Sequence, residues 1–307
     1  MKDSREQETQ GIPSYSSPRN LGDRYLSDLF SDDYVVQEKV DGSQFSFGRV
    51  NGELLFRSRG GPLVLGQVPN DFQKTVDHLL GKADQIPEGF TFRGEAMTKR
   101  RQNKLNYLRI PDGFLVLFDV DSGGTYHSIE EIQQWAERLG VTAVQQLWTG
   151  KAGEALDVER VNAFLNGESQ LGGTPEGVVI KNYARLLNGK AMMGKVVGSH
   201  FKEVKAVVKE QGSSPVAAIV KAYRTEARWD KAIQHLREEG KLDETMRDVP
   251  VLLKEIFSDI EAEESENLKN LIWQTFRRDI LKGAAEGFAS YYQKRLSESV
   301  MAGAVAQ

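Results

Sequence analysis

Apolar positions along the first two thirds of the chain follow two different periods. The runs "YVVQEKV", "SQFSFGRV", "ELLFRS", "FTFRGEAM", "FLVLFDVD" and "EGVVIKNY" are short, rich in β-branched and aromatic residues, and read as strands. The pairs Asp41-Gly42 and Asn51-Gly52 predict hairpin turns, since both residue types tolerate the left-handed backbone of a two-residue loop. Between the strands lie helical patterns, "DFQKTVDHLLGK" and "SIEEIQQWAERLG", the second with Ser128 as N-cap and Gly140 as stop. Strands joined by tight turns pair antiparallel, so the expected class is α+β rather than a doubly wound sheet.

Beyond about Lys209 the pattern changes to one amphipathic helix after another: "VAAIVKAYRTEARW", "DKAIQHLREEG", "VPVLLKEIFSDIEAEE", "LKNLIWQTFRRDILKG" and "FASYYQKRL". Pro215 stands at a first-turn position. An antiparallel-sheet domain over 21–208 and a small C-terminal all-α domain over 209–307 are therefore expected. Residues 1–20, polar and rich in Ser and Pro, are expected to form a loose leader.

Composition narrows the function classes. With 307 residues, 39% hydrophobic and 27% charged, the chain can build ordinary cores in two domains. No apolar run approaches the ~20 residues a membrane crossing needs, and the start lacks the apolar segment of a secretion signal. The absence of cysteine excludes disulfides and thiol catalysis and fits a cytoplasmic chain. The four histidines, His78, His127, His200 and His235, show no metal-ligand spacing. A net charge of −4 confines any polyanion site to a local patch, and "TKRRQNK" at Thr98–Lys104 is one.

Lys39 breaks the strand pattern. It sits between Val36 and Val40, just ahead of Asp41-Gly42, in the form K-x-D-G. Such a tetrapeptide arises by chance in on the order of one chain in ten. The ordered series of residues downstream of it is more specific. Arg57 and Arg59 lie in "FRSRGGPL", Glu95 in "FRGEAM", and Phe118 with Asp119 in "FLVLFDV". Glu176 opens "EGVVIK", Lys181 closes it, and Lys195 lies in "GKVVGSHFKE". This order resembles the collinear motifs of covalent nucleotidyltransferases, the superfamily of ATP-dependent DNA ligases, RNA ligases and capping guanylyltransferases.

The chemistry accounts for those residue types. A lysine amine attacks the α-phosphorus of ATP only when neutral, and an unperturbed lysine needs about 4.6 kcal/mol to lose its proton at pH 7. Nearby cations, Lys181, Lys195 and a divalent metal, are expected to lower that cost and to neutralise charge on the phosphates. Glu95 and Glu176 can hold a metal or ribose hydroxyls, and Phe118 offers a face to the adenine.

DNA ligases and capping enzymes have an OB-fold after the last basic strand, whereas this chain offers helices. Together with a lysine near position 40 and a compact catalytic domain, that tail resembles the RNA-ligase-2 branch, which includes phage double-strand RNA ligases and RNA-editing ligases. The resemblance implies lysyl-AMP on Lys39, with Lys181 and Lys195 in the catalytic set. It implies Glu38 and Phe118 around the adenine, Arg59 at ribose and phosphate with Arg57 as a register-shifted rival, Glu95 at the ribose, and Glu176 at Mg2+ or Mn2+. Two departures stand out. Gln44 replaces the usual Asn for the RNA 5′-phosphate, and Val197 stands where a second lysine belongs, so Lys190 or Lys202 could assist Lys195.

The expected partner is RNA with 3′-OH and 5′-phosphate ends in a nicked duplex, joined by a monomer in RNA repair. Lys99, Arg100 and Arg101, with helix faces near Arg277, Arg278, Lys282, Lys294 and Arg295, are candidates for its backbone. The acidic run Asp259–Glu266 is expected to face solvent, away from RNA. The alternatives are a DNA ligase or capping-type guanylyltransferase lacking its OB-fold, and a catalytically silent RNA-binding protein of this fold.

Overall fold

The computed structural model describes residues 11–187, 190–198, 204 and 214–304. Two sheets face each other. In the first, β1 (Arg19–Asn20), β12 (Lys190–Val197), β11 (Gly177–Leu187), β2 (Tyr34–Lys39) and β10 (Gln146–Gly150) lie in that order. In the second the order is β5 (Pro62–Leu63), β4 (Glu53–Ser58), β3 (Ser43–Val50), β6 (Phe90–Ala96), β7 (Leu115–Ser122) and β8 (Thr125–Tyr126), with β9 (Thr142–Ala143) beside β7. Pairing is antiparallel except for β1 on β12 and β9 on β7. The molecule is α+β, as the strand pattern predicts.

Asn51-Gly52 makes the expected hairpin. Both residues have positive φ, and Val50 and Glu53 pair across the turn. Asp41-Gly42 does not. Lys39 ends β2 in one sheet and Ser43 begins β3 in the other, so the turn carries the chain between sheets instead of closing a hairpin. Glycine is needed there because a Cβ on Gly42 would lie 2.7 Å from Glu95 Cβ. Asp41 then fixes the crossover: its Oδ2 accepts from the N–H groups of Lys104 and Leu105, both at 2.7 Å.

Two apolar clusters hold the sheets. Phe45, Phe47, Phe56 and Phe92 of the second sheet pack under α1 (Asn70–Leu80) and α2 (Ile129–Leu139). Phe47 and Phe92 stack with ring centroids 4.9 Å apart. Helix α2 carries the predicted cap as a full capping box between Ser128 and Glu131, and ends at left-handed Gly140. The first sheet buries Val36, Val178, Ile180 and Met192 against Leu26, Leu29 and Val161 of α3 (Val158–Leu165). A third cluster, including Val40, Met97, Tyr107 and Val116, lies beneath the crossover.

Two expectations change at the ends of the chain. Residues 11–20 are packed rather than loose: Ile12 is buried, Tyr15 bonds to Asp119, and Arg19–Asn20 joins the first sheet. In the tail, α4 (Pro215–Tyr223) and α5 (Glu226–Glu238) precede α6 (Val249–Ala284) and α7 (Phe288–Ala304). The two patterns expected as separate helices in 249–284 form one 36-residue helix.

The acidic run does not face solvent throughout. Asp259 pairs with the fully buried Arg228, and also with Lys231 at 2.5 Å; Glu264, only 3% exposed, lies 3.8 Å from Arg228. These charges knit α5 to α6 and lay α5 across the opening between the sheets. Gln234 Nε2 donates to Gly42 O at 3.1 Å, and Lys104 pairs with Asp230 at 2.9 Å. No helix among the described residues is long and apolar enough to cross a membrane.

Candidate active site

A cavity of about 790 Å³ opens between the two sheets and beneath α5. Lys39, at the end of β2, reaches its floor. The register places Gly177 of β11 opposite Lys39, which sets Glu176 immediately beside the lysine. Lys39 Nζ donates to Glu176 Oε2 at 2.7 Å. Glu95 enters from β6 in the other sheet, where it pairs in register with Gln44. The two carboxylates thus arrive from different sheets, and the crossover turn is what brings them together.

The charges on Lys39 differ from the expected arrangement. Burial disfavours its ammonium, but Glu176 and Glu95 outweigh that effect and raise its pKa above the ordinary value. Carboxylates rather than cations dominate its surroundings. Lys181 is spent on Asp119 at 2.9 Å with both groups buried, and its own pKa is lowered, chiefly by burial. Burial raises Glu176 despite Lys39, and pushes Glu95 up to about 8, with Lys39 opposing and Glu238 and Glu176 adding.

At the inner end, Glu38 accepts from Ser169 Oγ at 2.5 Å and from the Gln170 N–H at 2.8 Å, and burial raises its pKa. Phe118 lines the same end, with Lys181 Nζ 4.6 Å from its ring centroid and the Tyr15 ring 5.3 Å away. Asp119 gathers Lys181, Tyr15 at 2.7 Å and Tyr183 at 2.6 Å.

Glu38, Lys39, Gln44, Arg59, Glu95, Arg101, Phe118, Glu176, Lys181 and Lys195 all line the one cavity. Arg57 does not; it sits within β4, whereas Arg59 lies just beyond the strand and reaches the opening. Lys99 is paired with Asp71 at 3.1 Å, and Arg100 is exposed outside the cavity lining. The end of "TKRRQNK" clasps the crossover, through Lys104 N–H to Asp41 and Asn103 to Gly42 O. Of the candidates for the last basic position, Lys195 lines the cavity, Lys190 donates to Ser14 O at 2.7 Å, and Lys202 and His200 lie outside the described residues.

Sequence reasoning did not anticipate Tyr15, Ser169, or the α5 residues Lys231, Gln234 and Glu238 in this cleft. For a metal, the protein offers Glu95 and Glu176; no group of three or more His, Cys, Asp or Glu that could hold an ion occurs among the described residues. Two carboxylates suit an ion whose remaining ligands are phosphate oxygens and water.

A lysine ion-paired at the floor of a cleft between two sheets, with Glu176 and Glu95 beside it and basic residues along the cleft, is the arrangement expected of a covalent nucleotidyltransferase. The model of the RNA ligase family matches residues 32–197, more than half of the chain, and the chain belongs to that family. Comparison with curated proteins finds no match. Among solved structures, a mutant apo Naegleria gruberi RNA ligase matches at 20% identity and a TM-score of 0.46, covering 61% of this chain and 55% of that one. The same organism's RNA ligase with PPi matches at 15% identity and 0.48, covering 62% and 57%. A further mutant of it, with ATP and Mn, matches at 16% and 0.46. The chain spans little more than half the length of these solved chains.

Proposed function

We propose that this protein is an ATP-dependent RNA ligase that joins an RNA 3′-OH to a 5′-phosphate through lysyl-AMP and RNA-adenylate intermediates. The observation that carries the reading is the Lys39–Glu176 contact of 2.7 Å, on the floor of a cleft that Glu95 enters from the opposite sheet. Lys39 Nζ attacks the α-phosphorus, the bond to the β-phosphate breaks, and pyrophosphate leaves with the electron pair. The ammonium proton passes first to Glu176, which already accepts its hydrogen bond. AMP then moves to the RNA 5′-phosphate, and attack by the 3′-hydroxyl releases it as the nick closes.

In this reading Glu38 and Phe118 bound the adenine pocket, Glu95 holds ribose hydroxyls, and Lys181 and Lys195 supply charge to the phosphates. Arg59 contacts ribose and phosphate, and Gln44 with Arg101 at the cavity edge meets the RNA phosphate; Lys99 and Arg100 extend that edge outward. Glu176, helped by Glu95, would hold Mg2+ or Mn2+, which supplies charge neutralisation on the phosphates when bound. The sheet-bearing part, 21–208, acts as the adenylylation domain and 209–307 as its helical partner, in a cytoplasmic monomer.

Incubation with magnesium and α-labelled ATP is expected to give an acid-stable, hydroxylamine-sensitive protein–AMP adduct that is lost in Lys39→Ala. An adduct surviving that substitution refutes the assignment. End joining on nicked duplexes of every RNA/DNA strand combination then separates an RNA ligase from a DNA ligase.

A further inference from the structure

The helical tail brings charged groups to the cleft whose arrangement has a chemical meaning of its own. Glu263 of α6 lies 3.4 Å from Arg59 Nη2 through one oxygen and accepts from Lys231 Nζ of α5 at 2.7 Å through the other. The charge of Lys195, on β12, acts on it too. Burial opposes its ionisation, yet Lys231, Lys195 and Arg59 together hold its pKa at about 2. Cations from a strand end, a strand and a tail helix thus converge on one seated anion. A carboxylate in such a place stands where a phosphate could bind.

The position of this anion suggests which phosphate. Lys195 acts on Glu176, the partner of Lys39, as well as on Glu263. Arg59, Lys195 and Lys231 all line the cavity that holds Lys39, and Lys195 also lines the smaller neighbouring cavity that Glu263 borders, so the cations gathered on Glu263 share the cleft of the attacking amine. We propose that Arg59, Lys195 and Lys231 bind the β- and γ-phosphates of ATP, and that Glu263 fills this site as an internal stand-in when no nucleotide is bound. The inference rests on the reading that Lys39 attacks ATP. When the P–O bond to the β-phosphate breaks, the electron pair moves onto the leaving pyrophosphate, where these cations stabilise it. A tail helix is then part of the first chemical step.

Two substitutions in the full-length chain test this, because they should act in opposite directions. In Lys231→Ala the ATP concentration for half-maximal lysyl-AMP formation is expected to rise at least tenfold, as is the pyrophosphate concentration that strips AMP from the adenylylated protein. In Glu263→Gln both should fall at least threefold, since the cations lose their competitor. Lys231→Arg, which keeps the charge, should stay near wild type. Single-turnover sealing of a pre-adenylylated RNA strand, which needs no triphosphate, should remain within about threefold of wild type in all three. Shifts of the same sign in Lys231→Ala and Glu263→Gln would mark a merely structural ion pair and overturn the proposal. Equal losses with ATP and with pre-adenylylated RNA would assign the site to the RNA phosphate instead and also overturn it. Failure of the wild-type protein to form any adduct would remove the ligase reading and this inference with it, whereas a wild-type adduct with unaltered ATP dependence in Lys231→Ala removes the inference alone.

Discussion

Replacing Glu176 with Gln should make Lys39 a better nucleophile toward a small neutral reagent while making it a worse one toward ATP. In the ligand-free cleft Lys39 donates to Glu176 at 2.7 Å, and the two side chains retain 23% and 12% exposure. Glu176 and Glu95 raise the pKa of Lys39 against the opposing effect of burial. A hydrogen bond to a charged partner contributes about 1.5–3 kcal/mol. Losing it raises the fraction of neutral amine at a fixed pH by roughly tenfold to a hundredfold, at about 1.4 kcal/mol per tenfold. Pulsed acylation at pH 8 followed by mass spectrometry of the Lys39 peptide reads this directly, with exposed lysines as internal standards. The expected result is faster Lys39 labelling in Glu176→Gln together with slower lysyl-AMP formation, because the proton acceptor is gone. Unchanged or slower labelling of Lys39 in a variant with wild-type thermal stability would refute the charge reasoning.

Glu95→Gln should stabilise the fold, and more so at pH 8 than at pH 5. With its pKa raised from 4.5 to about 8, Glu95 keeps a proton in the folded state that the unfolded chain has lost, so its contribution to stability declines as pH rises through that window. A difference in melting temperature between variant and wild type that shrinks on going from pH 5 to 8 would contradict this. Arg228→Ala should cost about 3–5 kcal/mol in denaturant unfolding, because it removes a buried cation that pairs with both Asp259 and Glu264, leaving Lys231 alone on Asp259; a loss below about 1 kcal/mol would mean the α5–α6 lattice contributes little.

The features legible in the sequence alone were those that short-range chemistry decides. The Ser128 capping box, the Asn51-Gly52 turn and the β-rich runs depend on neighbours a few residues apart. Order along the chain was enough to single out Lys39, Arg59, Glu95, Phe118, Glu176, Lys181 and Lys195, and they line one cavity. Asp41-Gly42 was misread because an Asp-Gly pair reports that the backbone bends, not which strands then pair. The acidic run in α6 was misread for a related reason. Asp259, Glu263 and Glu264 have the same polarity whether they meet water or the cations Arg228 and Lys231, which lie some thirty residues earlier. Tyr15 carried no signal in its polar surroundings, since its partner Asp119 is 104 residues away. The continuity of α6 was missed although the sequence carries it: two helices were expected, yet no glycine or proline interrupts residues 251–282.

If Lys39 is the nucleophile proposed above, the charge pattern of the cleft accounts for its being both stable and reactive. Lys39 faces Glu176 and Glu95, and Glu263 is seated among three cations. The protein itself thus supplies counter-charges at both places, as partly buried charges require. On the proposed reading, a polyphosphate entering the cleft would alter both arrangements. Its oxygens would compete with Glu263 for Arg59, Lys195 and Lys231, and Glu176, which accepts the hydrogen bond of Lys39, would also be the residue to hold a divalent ion. On that reading the binding event that supplies the electrophile would also weaken the interaction that restrains the nucleophile. On this view the carboxylates hold the amine in reserve until phosphate arrives, and the α5–α6 charges that close the cleft belong to the same device as the lysine beneath them.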